Sequence, residues 1–255
     1  MTSEVYQQAR YYDIAFGFVN VAEQLDALFE PLIRHYSLVP VQSVLDVCCG
    51  PSPQLRESAR RGYSATGLDL SQAMLGYLRD MADREQVTVE TVQADLRDFR
   101  LARSVDFAYI LMGSIIYVGS NEGLLSHLSA MATALNSGGL YLLENVFADW
   151  TNPQAYEPQS WVMSADGITV HTTYQRQVTD PLRQLARDKL SLDVNDNGVR
   201  KQFADEDEVK LLFPEEFRSL VEMHGAFEFL GYFERYRPQP LSSYSGDHTA
   251  LLRKR

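Results

Sequence analysis

What most restricts the fold of this 255-residue chain is a regular alternation of short apolar runs and helical segments between residues 43 and 146. Ser43-Val44-Leu45-Asp46-Val47-Cys48-Cys49 has the composition of a buried strand, Gly50-Pro51-Ser52-Pro53 breaks it, and residues 54–62 read as a helix ending at Gly62. Tyr63 to Leu70 is the next strand, and Ser71 is placed to cap a helix running to about Arg84. Residues 87–92 alternate like a strand, and Asp106 to Met112 forms another. A helix over 121–135 ends at Ser137-Gly138-Gly139, and Leu140 to Val146 is the fifth strand. Strand, helix, strand at this spacing predicts a doubly wound, mostly parallel sheet with helices on both faces.

After Asp149 the period changes. Residues 158–213 hold period-two stretches divided by turn signals at Ala165-Asp166-Gly167, Thr179-Asp180-Pro181 and Asn195-Asp196-Asn197-Gly198, which predict antiparallel hairpins. Pro214-Glu215-Glu216-Phe217 opens a helix that stops near Gly225, and two final strands fall near 227–235 and 247–253. Seven strands of a Rossmann-like α/β sheet are thereby accounted for, with an antiparallel insert over its carboxyl edge. Apolar residues near helical spacing predict one amphipathic helix over 17–37. The expected organisation is a helical lid over 1–40, a Rossmann-like domain over 41–149 and 214–255, and an inserted antiparallel cap over 150–213.

Composition removes several function classes. The net charge is −11, and the one dense basic run is Arg253-Lys254-Arg255. Holding nucleic acid through phosphates requires a basic face, so nucleic acid is not an expected partner. No run of eighteen apolar residues marks a membrane span and no leader precedes the first helix, so no membrane partner is expected. The two cysteines, Cys48 and Cys49, are adjacent. They fit a reduced cytoplasmic setting and offer no set of metal ligands.

Ligands of open parallel sheets bind beyond the carboxyl ends of the strands. Four segments fall there. Asp46 is a carboxylate inside an apolar strand, costly unless hydrogen-bonded, so it either ties up the following turn or meets a cationic ligand. Small residues at Cys48 and Gly50 let a ligand approach the backbone, and the next helix offers free N–H groups. Asp69 ends the second strand where an acid suits the two hydroxyls of a ribose, Ser71 being better placed as the helix cap. Asp95, followed by Leu96, can accept from an exocyclic amine or serve as a turn residue. Leu111 and Met112 end the fourth strand with carbonyls toward the ligand, beside Ser114 and Tyr117.

In this order, residues 40–146 resemble the class I S-adenosylmethionine-dependent methyltransferases, and Leu212-Phe213-Pro214-Glu215-Glu216-Phe217 after an inserted sheet resembles their small-molecule members. The resemblance implies that Asp46 and the 48–50 backbone hold the methionine part of S-adenosylmethionine. Asp69 would take its ribose, Leu70 or Met74 would pack on adenine with Leu96 nearby, and Asp95 would bond the adenine amine. The carbonyl of Leu111 or Met112 would accept from the amino group. The family turn usually carries glycine at the positions of Cys48, Gly50 and Ser52. Here only Gly50 remains, and Pro51 and Pro53 remove two N–H donors.

The implied reaction is methyl transfer to a nitrogen, oxygen or carbon of a small metabolite or natural product, releasing S-adenosylhomocysteine. The alternatives are a cofactor-dependent rearrangement or elimination without methylation, and a non-catalytic binding module. Tyr-Asp pairs near the start of similar enzymes close over the cofactor, which points to Tyr11 as a cofactor contact and Tyr12 as a catalytic one. Tyr117 is a second catalytic candidate. His171 is a candidate base, set against the reading of a surface histidine; it lies on the opposite strand face from Tyr174 and Arg176. Trp150 and Trp161 are candidate walls of an apolar acceptor site or core residues. His224 reads as a helix-end residue, and Glu144 and Asn145 are better placed by topology. The edges of the inserted sheet are candidates for pairing across a homodimer.

Overall fold

The computed structural model describes residues 3–147, 156–235, 237–242 and 247–255. Strands β1 (Ser43–Val47), β2 (Ser64–Asp69), β3 (Val89–Gln93), β4 (Val105–Ile110), β5 (Leu135–Glu144), β10 (Phe227–Glu234) and β11 (His248–Lys254) form one sheet in the order β10-β11-β5-β4-β1-β2-β3. The five earlier strands run parallel, β11 is antiparallel to both neighbours, and the order reverses beside β1. That reversal opens a crevice at the carboxyl ends of β1 and β4. The strands at the centre are apolar on both faces because helices cover both. Leu45, Val47, Ala108 and Ile110 pack against α6 (Asn121–Ala134) and α7 (Pro214–His224), while Val44, Phe107 and Tyr109 pack against the helices before and after β1.

Capping chemistry sets the helix starts. The Ser52 hydroxyl accepts from Leu55 N ahead of α4 (Pro53–Arg60), Ser71 from Met74 N ahead of α5 (Gln72–Arg84), and Ser120 from Gly123 N ahead of α6. Each serine satisfies one of the donors that the first helical turn leaves open.

The insert is a separate four-stranded antiparallel sheet, β6 (Gln159–Ala165), β7 (Ile168–Asp180), β8 (Leu185–Asp196) and β9 (Val199–Lys210), in sequence order. Two of its turns are the expected two-residue hairpins, Asp166-Gly167 and Asn197-Gly198, with positive φ at every position. The third is held by Asp180 Oδ1, which accepts from the N–H groups of Leu182 and Arg183, each at 3.0 Å. From Ile168 to Gln177 in β7 and from Ala186 to Asn195 in β8 the even-numbered residues turn inward and the odd ones outward, as period two requires.

The amino-terminal segment departs from the expected single helix over 17–37. It comprises a short turn at Val5–Gln7, α1 (Ala9–Ala15), and a separate helical stretch from Val21 to Tyr36, built of α2 (Val21–Gln24), a π-turn at Leu25–Phe29 and α3 (Glu30–Tyr36). Asn20 starts the second stretch, its side chain accepting from Glu23 N at 3.3 Å. The widened turn lies just before Pro31, which has no N–H and would clash in a regular turn. Glu30 N donates instead to the Leu25 carbonyl five residues back. The α6–β5 junction is also tighter than expected: α6 ends at Ala134 and β5 begins at Leu135. Among the described residues no helix is long and apolar enough to cross a membrane.

Candidate active site

The turn after β1 is strained. Cys48, Gly50 and Ser52 all have positive φ, at 57°, 52° and 36°. Its backbone is fixed from three sides. Cys49 N donates to the Leu68 carbonyl at 2.9 Å, Gly50 N to Asp69 Oδ2 at 2.8 Å, and the Ser52 hydroxyl to Asp46 Oδ2 at 2.5 Å. Ser52 therefore both caps α4 and holds the buried Asp46 carboxylate. Burial pushes the Asp46 carboxyl well above the usual range, opposed by the Ser52 hydrogen bond. A Cβ added at Gly50 would meet only the edge of the Tyr12 ring, at 4.0 Å, so this backbone fronts open space. Asp46, Cys48, Gly50 and Tyr12 line a cavity of about 100 Å³ there.

Asp69 ends β2 with its second oxygen accepting from Ser71 N at 2.8 Å. A carboxylate has about four lone-pair sites, so Asp69 keeps capacity for a further hydrogen bond beyond those it takes from the backbone. Asp95 is engaged by Arg97 through Nε at 2.9 Å and Nη2 at 2.6 Å, which holds its carboxyl below the ordinary range. Leu96 is tied to the core, its carbonyl meeting His127 Nδ1 at 2.7 Å.

The segment after β4 turns sharply, with φ of 57° at Met112 and 70° at Gly113. Glycine suits the second position, where the backbone is left-handed and a Cβ would lie a tight 3.3 Å from the Asn145 carbonyl. Glu144, buried at the end of β5, anchors the turn by accepting from Met112 N at 2.6 Å. The Leu111 carbonyl accepts from both the N–H and the hydroxyl of Ser114, at 3.1 and 2.9 Å.

A second cavity, of about 480 Å³, adjoins the first, and Tyr12, Phe16, Met112 and Ser114 line both. The amino-terminal segment supplies Tyr6, Phe16 and Phe18, the inserted sheet Trp161, Tyr174, Arg176, Asp188 and Asp207, and the main sheet Tyr117 and Arg235. Tyr6 and Tyr117 meet hydroxyl to hydroxyl at 2.7 Å. Arg176 forms a bidentate pair with Asp188, at 2.7 and 2.6 Å, and the Tyr174 hydroxyl donates to the same carboxylate at 2.8 Å. Arg235 is held by Glu144 at 2.6 Å and Asp247 at 3.2 Å.

Comparison with known proteins bears on this arrangement. Residues 44–139, from β1 to the start of β5, match the family model described as a methyltransferase domain. A structure of an S-adenosylmethionine-dependent methyltransferase from Clostridium acetobutylicum superposes with a TM-score of 0.80 over 97% of both chains, at 17% identity. The chain has the fold of the class I S-adenosylmethionine-dependent methyltransferases, and residues 44–139 match their methyltransferase-domain model. The DesVI protein of Streptomyces venezuelae shares this methyltransferase fold with a TM-score of 0.79, at 24% identity over 97% of this chain and 98% of that one. A curated relative in the same organism, dTDP-3-amino-3,4,6-trideoxy-alpha-D-glucopyranose N,N-dimethyltransferase, is 30% identical over 126 residues, 49% of each chain. The matched segments span 63% and 49% of the lengths of the first two curated relatives.

Within this methyltransferase frame, the expected residues separate into groups. Asp46, Cys48, Gly50, Leu111 and Met112 gather around the smaller cavity, Tyr12 and Met112 line both, and Tyr117 lines the larger. Asp69 stands behind the turn, tied to Gly50. Leu70 is exposed, Met74 is buried, and these two, Asp95 and Leu96 line neither cavity. Tyr11 points away: its hydroxyl donates to Asp196 at 2.8 Å and its ring stacks on Phe203, so Tyr12 rather than Tyr11 faces the turn. His171 is exposed on the outer face of β7, outside both cavities. Trp161 lines the larger cavity and donates to the Ala15 carbonyl at 2.7 Å, whereas Trp150 lies outside the described residues. His224 meets the Ser129 hydroxyl at 2.9 Å, away from the site. Sequence reasoning missed Tyr6, Asp188, Asp207 and Arg235. Asp188 had a signal, an aspartate in phase with the inward-facing Ala186, Leu192 and Val194.

Proposed function

We propose that this chain transfers a methyl group from S-adenosylmethionine to an amino nitrogen of a small molecule. The observation that carries the reading is the junction of the two cavities at Tyr12, Phe16, Met112 and Ser114. A cofactor held by the turn after β1 would present its sulfonium to the larger cavity across this wall. The choice of nitrogen is supported by the activity printed for the Streptomyces venezuelae relative, an N,N-dimethyltransferase of an amino sugar.

When bound, S-adenosylmethionine supplies a methyl carbon whose bond to nitrogen forms as its C–S bond breaks, the sulfur keeping the electron pair in S-adenosylhomocysteine. The residues present fit that group. Asp46 and the 48–50 backbone would hold its amino-acid end, and the Met112 carbonyl would accept from its amino group, since the Leu111 carbonyl already takes two hydrogen bonds. Asp69 would accept from the ribose hydroxyls. The exposed Leu70 would pack on adenine, with the buried Met74 beneath it and Asp95 and Leu96 toward its edge. Tyr12 and Phe16 place aromatic faces beside the reacting centre, where they favour positive charge and exclude water. Tyr6 and Tyr117 clasp the amino-terminal segment over the acceptor, so residues 1–40 and 150–213 act as covers on a 41–149 and 214–255 body. Orientation of the amine is the chain's main contribution to rate. The same reading places the enzyme in the cytoplasm, where the unbridged Cys48 and Cys49 stay reduced.

The test is calorimetric titration of S-adenosylmethionine and S-adenosylhomocysteine, followed by product analysis with amine acceptors. Binding, with S-adenosylhomocysteine formed one for one with methylated amine, is the expected result. Rearranged acceptor without loss of the methyl group would replace transfer with isomerisation. Failure of folded protein to bind either ligand at millimolar concentration would remove the reading.

A further inference from the structure

The larger cavity carries an uneven charge balance. Among the described residues, the two cations that line it are both committed: Arg176 to Asp188 through two hydrogen bonds, and Arg235 to Glu144 and Asp247. Against these stand three lining carboxylates, Asp188, Asp207 and Asp247. Asp207 differs from its neighbours. It sits directly across from Asp188 in the β8–β9 register, an unfavourable like-charge pair. Two residues away on the same strand face, Asp205 accepts from the Ser3 hydroxyl and the N–H groups of Glu4 and Val5. Asp188 accepts from Arg176 and Tyr174. Asp207, half-buried on the cavity wall, accepts no hydrogen bond and forms no ion pair among the described residues.

The rest of the wall is aromatic. Phe16, Phe18 and Trp161 form one cluster, with Trp161 edge-on to Phe16 at 5.4 Å and to Phe18 at 6.3 Å, and Tyr6 and Tyr12 are packed 5.7 Å apart beside it. Aromatic faces together with a carboxylate that has no hydrogen-bond or ion-pair partner among the described residues make a site for an organic cation. Among the described residues a diphosphate would find no uncommitted guanidinium there and would add its charge to a wall that already has an excess of carboxylates.

We propose that Asp207 is the residue that selects the acceptor: it receives the acceptor as an organic ammonium ion without a nucleoside diphosphate handle. This rests on the methyltransferase reading above and narrows its substrate class, since the curated relative named above acts on a dTDP-linked amino sugar. The ammonium docks on Asp207 against the aromatic wall, and the proton it sheds goes to solvent water, which frees the nitrogen lone pair to form the bond to the methyl carbon.

The experiment is calorimetry on the full chain saturated with S-adenosylhomocysteine. Benzylamine and glucosamine serve as ammonium probes, benzyl alcohol and glucose as their neutral counterparts, and thymidine diphosphate as the diphosphate probe. Each amine is expected to bind about tenfold or more tighter than its neutral counterpart, the scale of one charge-assisted hydrogen bond, and tighter than thymidine diphosphate. Asp207→Asn is expected to abolish the preference for the amine while S-adenosylhomocysteine affinity stays unchanged. Because the amide also relieves repulsion with Asp188, its melting temperature is expected to stay level or rise, which separates a lost site from a lost fold. Absence of an amine preference, tighter binding of thymidine diphosphate, or an amine preference that survives in Asp207→Asn would each overturn the proposal. Loss of S-adenosylhomocysteine binding by the unmodified protein would instead overturn the methyltransferase reading beneath it.

Discussion

Gly50 N donates to Asp69 Oδ2 at 2.8 Å, so the carboxylate ending β2 fastens the turn that follows β1. The link explains how a turn with one glycine and two prolines keeps its form: it is held from the neighbouring strand. In the proposed cofactor site Asp69 would then have two tasks, shaping the turn and accepting from a ribose.

Asp69→Ala should therefore remove cofactor binding more completely than the loss of a single contact. Hydrogen bonds to a charged group are worth about 1.5–3 kcal/mol each, so losing two lowers S-adenosylhomocysteine affinity by roughly a hundredfold or more. Asp69→Asn keeps one acceptor oxygen and should fall between the two proteins. Calorimetry on all three decides it, and equal affinities would mean that Asp69 neither shapes the turn for the cofactor nor contacts its ribose.

The Tyr6–Tyr117 hydroxyl pair predicts coupling between the amino-terminal segment and the 111–117 turn. Either Tyr→Phe change should raise the acceptor KM several-fold, and the double variant should be little worse than either single one, because the second change removes a partner already lost. Fully additive effects on kcat/KM would show that the two hydroxyls act independently.

Much of this arrangement is legible in the sequence, for physical reasons that differ by region. The main sheet shows itself because buried parallel strands demand apolar runs and the serine caps mark where helices begin. The insert shows itself because Asp166-Gly167 and Asn197-Gly198 fix two-residue hairpins and therefore the register. The amino-terminal segment misleads because the apolar positions of residues 16–20 and 21–36 blend into one helical period, although Asn20 with Glu23 marks the true start. The larger cavity is the least legible. Arg176 and Asp188 stand twelve residues apart on adjacent strands, and Arg235 and Glu144 ninety-one apart, so only the folded sheets bring each pair together.

Glu144 is buried and takes both Met112 N and Arg235 Nε at 2.6 Å. Glu144→Gln keeps an acceptor for one of them and cancels the charge facing the other. Breaking a buried pair from one side costs about 3–5 kcal/mol, and Asp247 beside Arg235 should hold the loss near the lower end. Denaturant unfolding measures it. A weakened Met112 turn should also raise the cofactor KM, an effect that a purely structural role elsewhere in the fold would not produce.

His127 supplies a pH signature of the folded state. It is fully buried in α6, with Nδ1 at 2.7 Å from the Leu96 carbonyl and Nε2 at 2.7 Å from the Tyr141 hydroxyl. The carbonyl can only accept, so Nδ1 carries the proton and Nε2 accepts from tyrosine, which leaves a neutral ring. Burial lowers its pKa from 6.5 to about 4. The unfolded chain then takes up the proton first as pH falls, so stability is complete above about pH 6.5 and declines down to about pH 4. The gap corresponds to about 3 kcal/mol. Asp13, Asp46, Asp69 and Asp207, raised chiefly by burial, work in the opposite sense and gain relative stability on acidification. The two contributions separate by difference. His127→Gln should be less stable than the unmodified protein at pH 7.5, through weaker hydrogen bonding, yet lose less between pH 6.5 and 4.5. Unfolding free energies at several pH values test this, and parallel curves for the two proteins would show that His127 is not the group responsible.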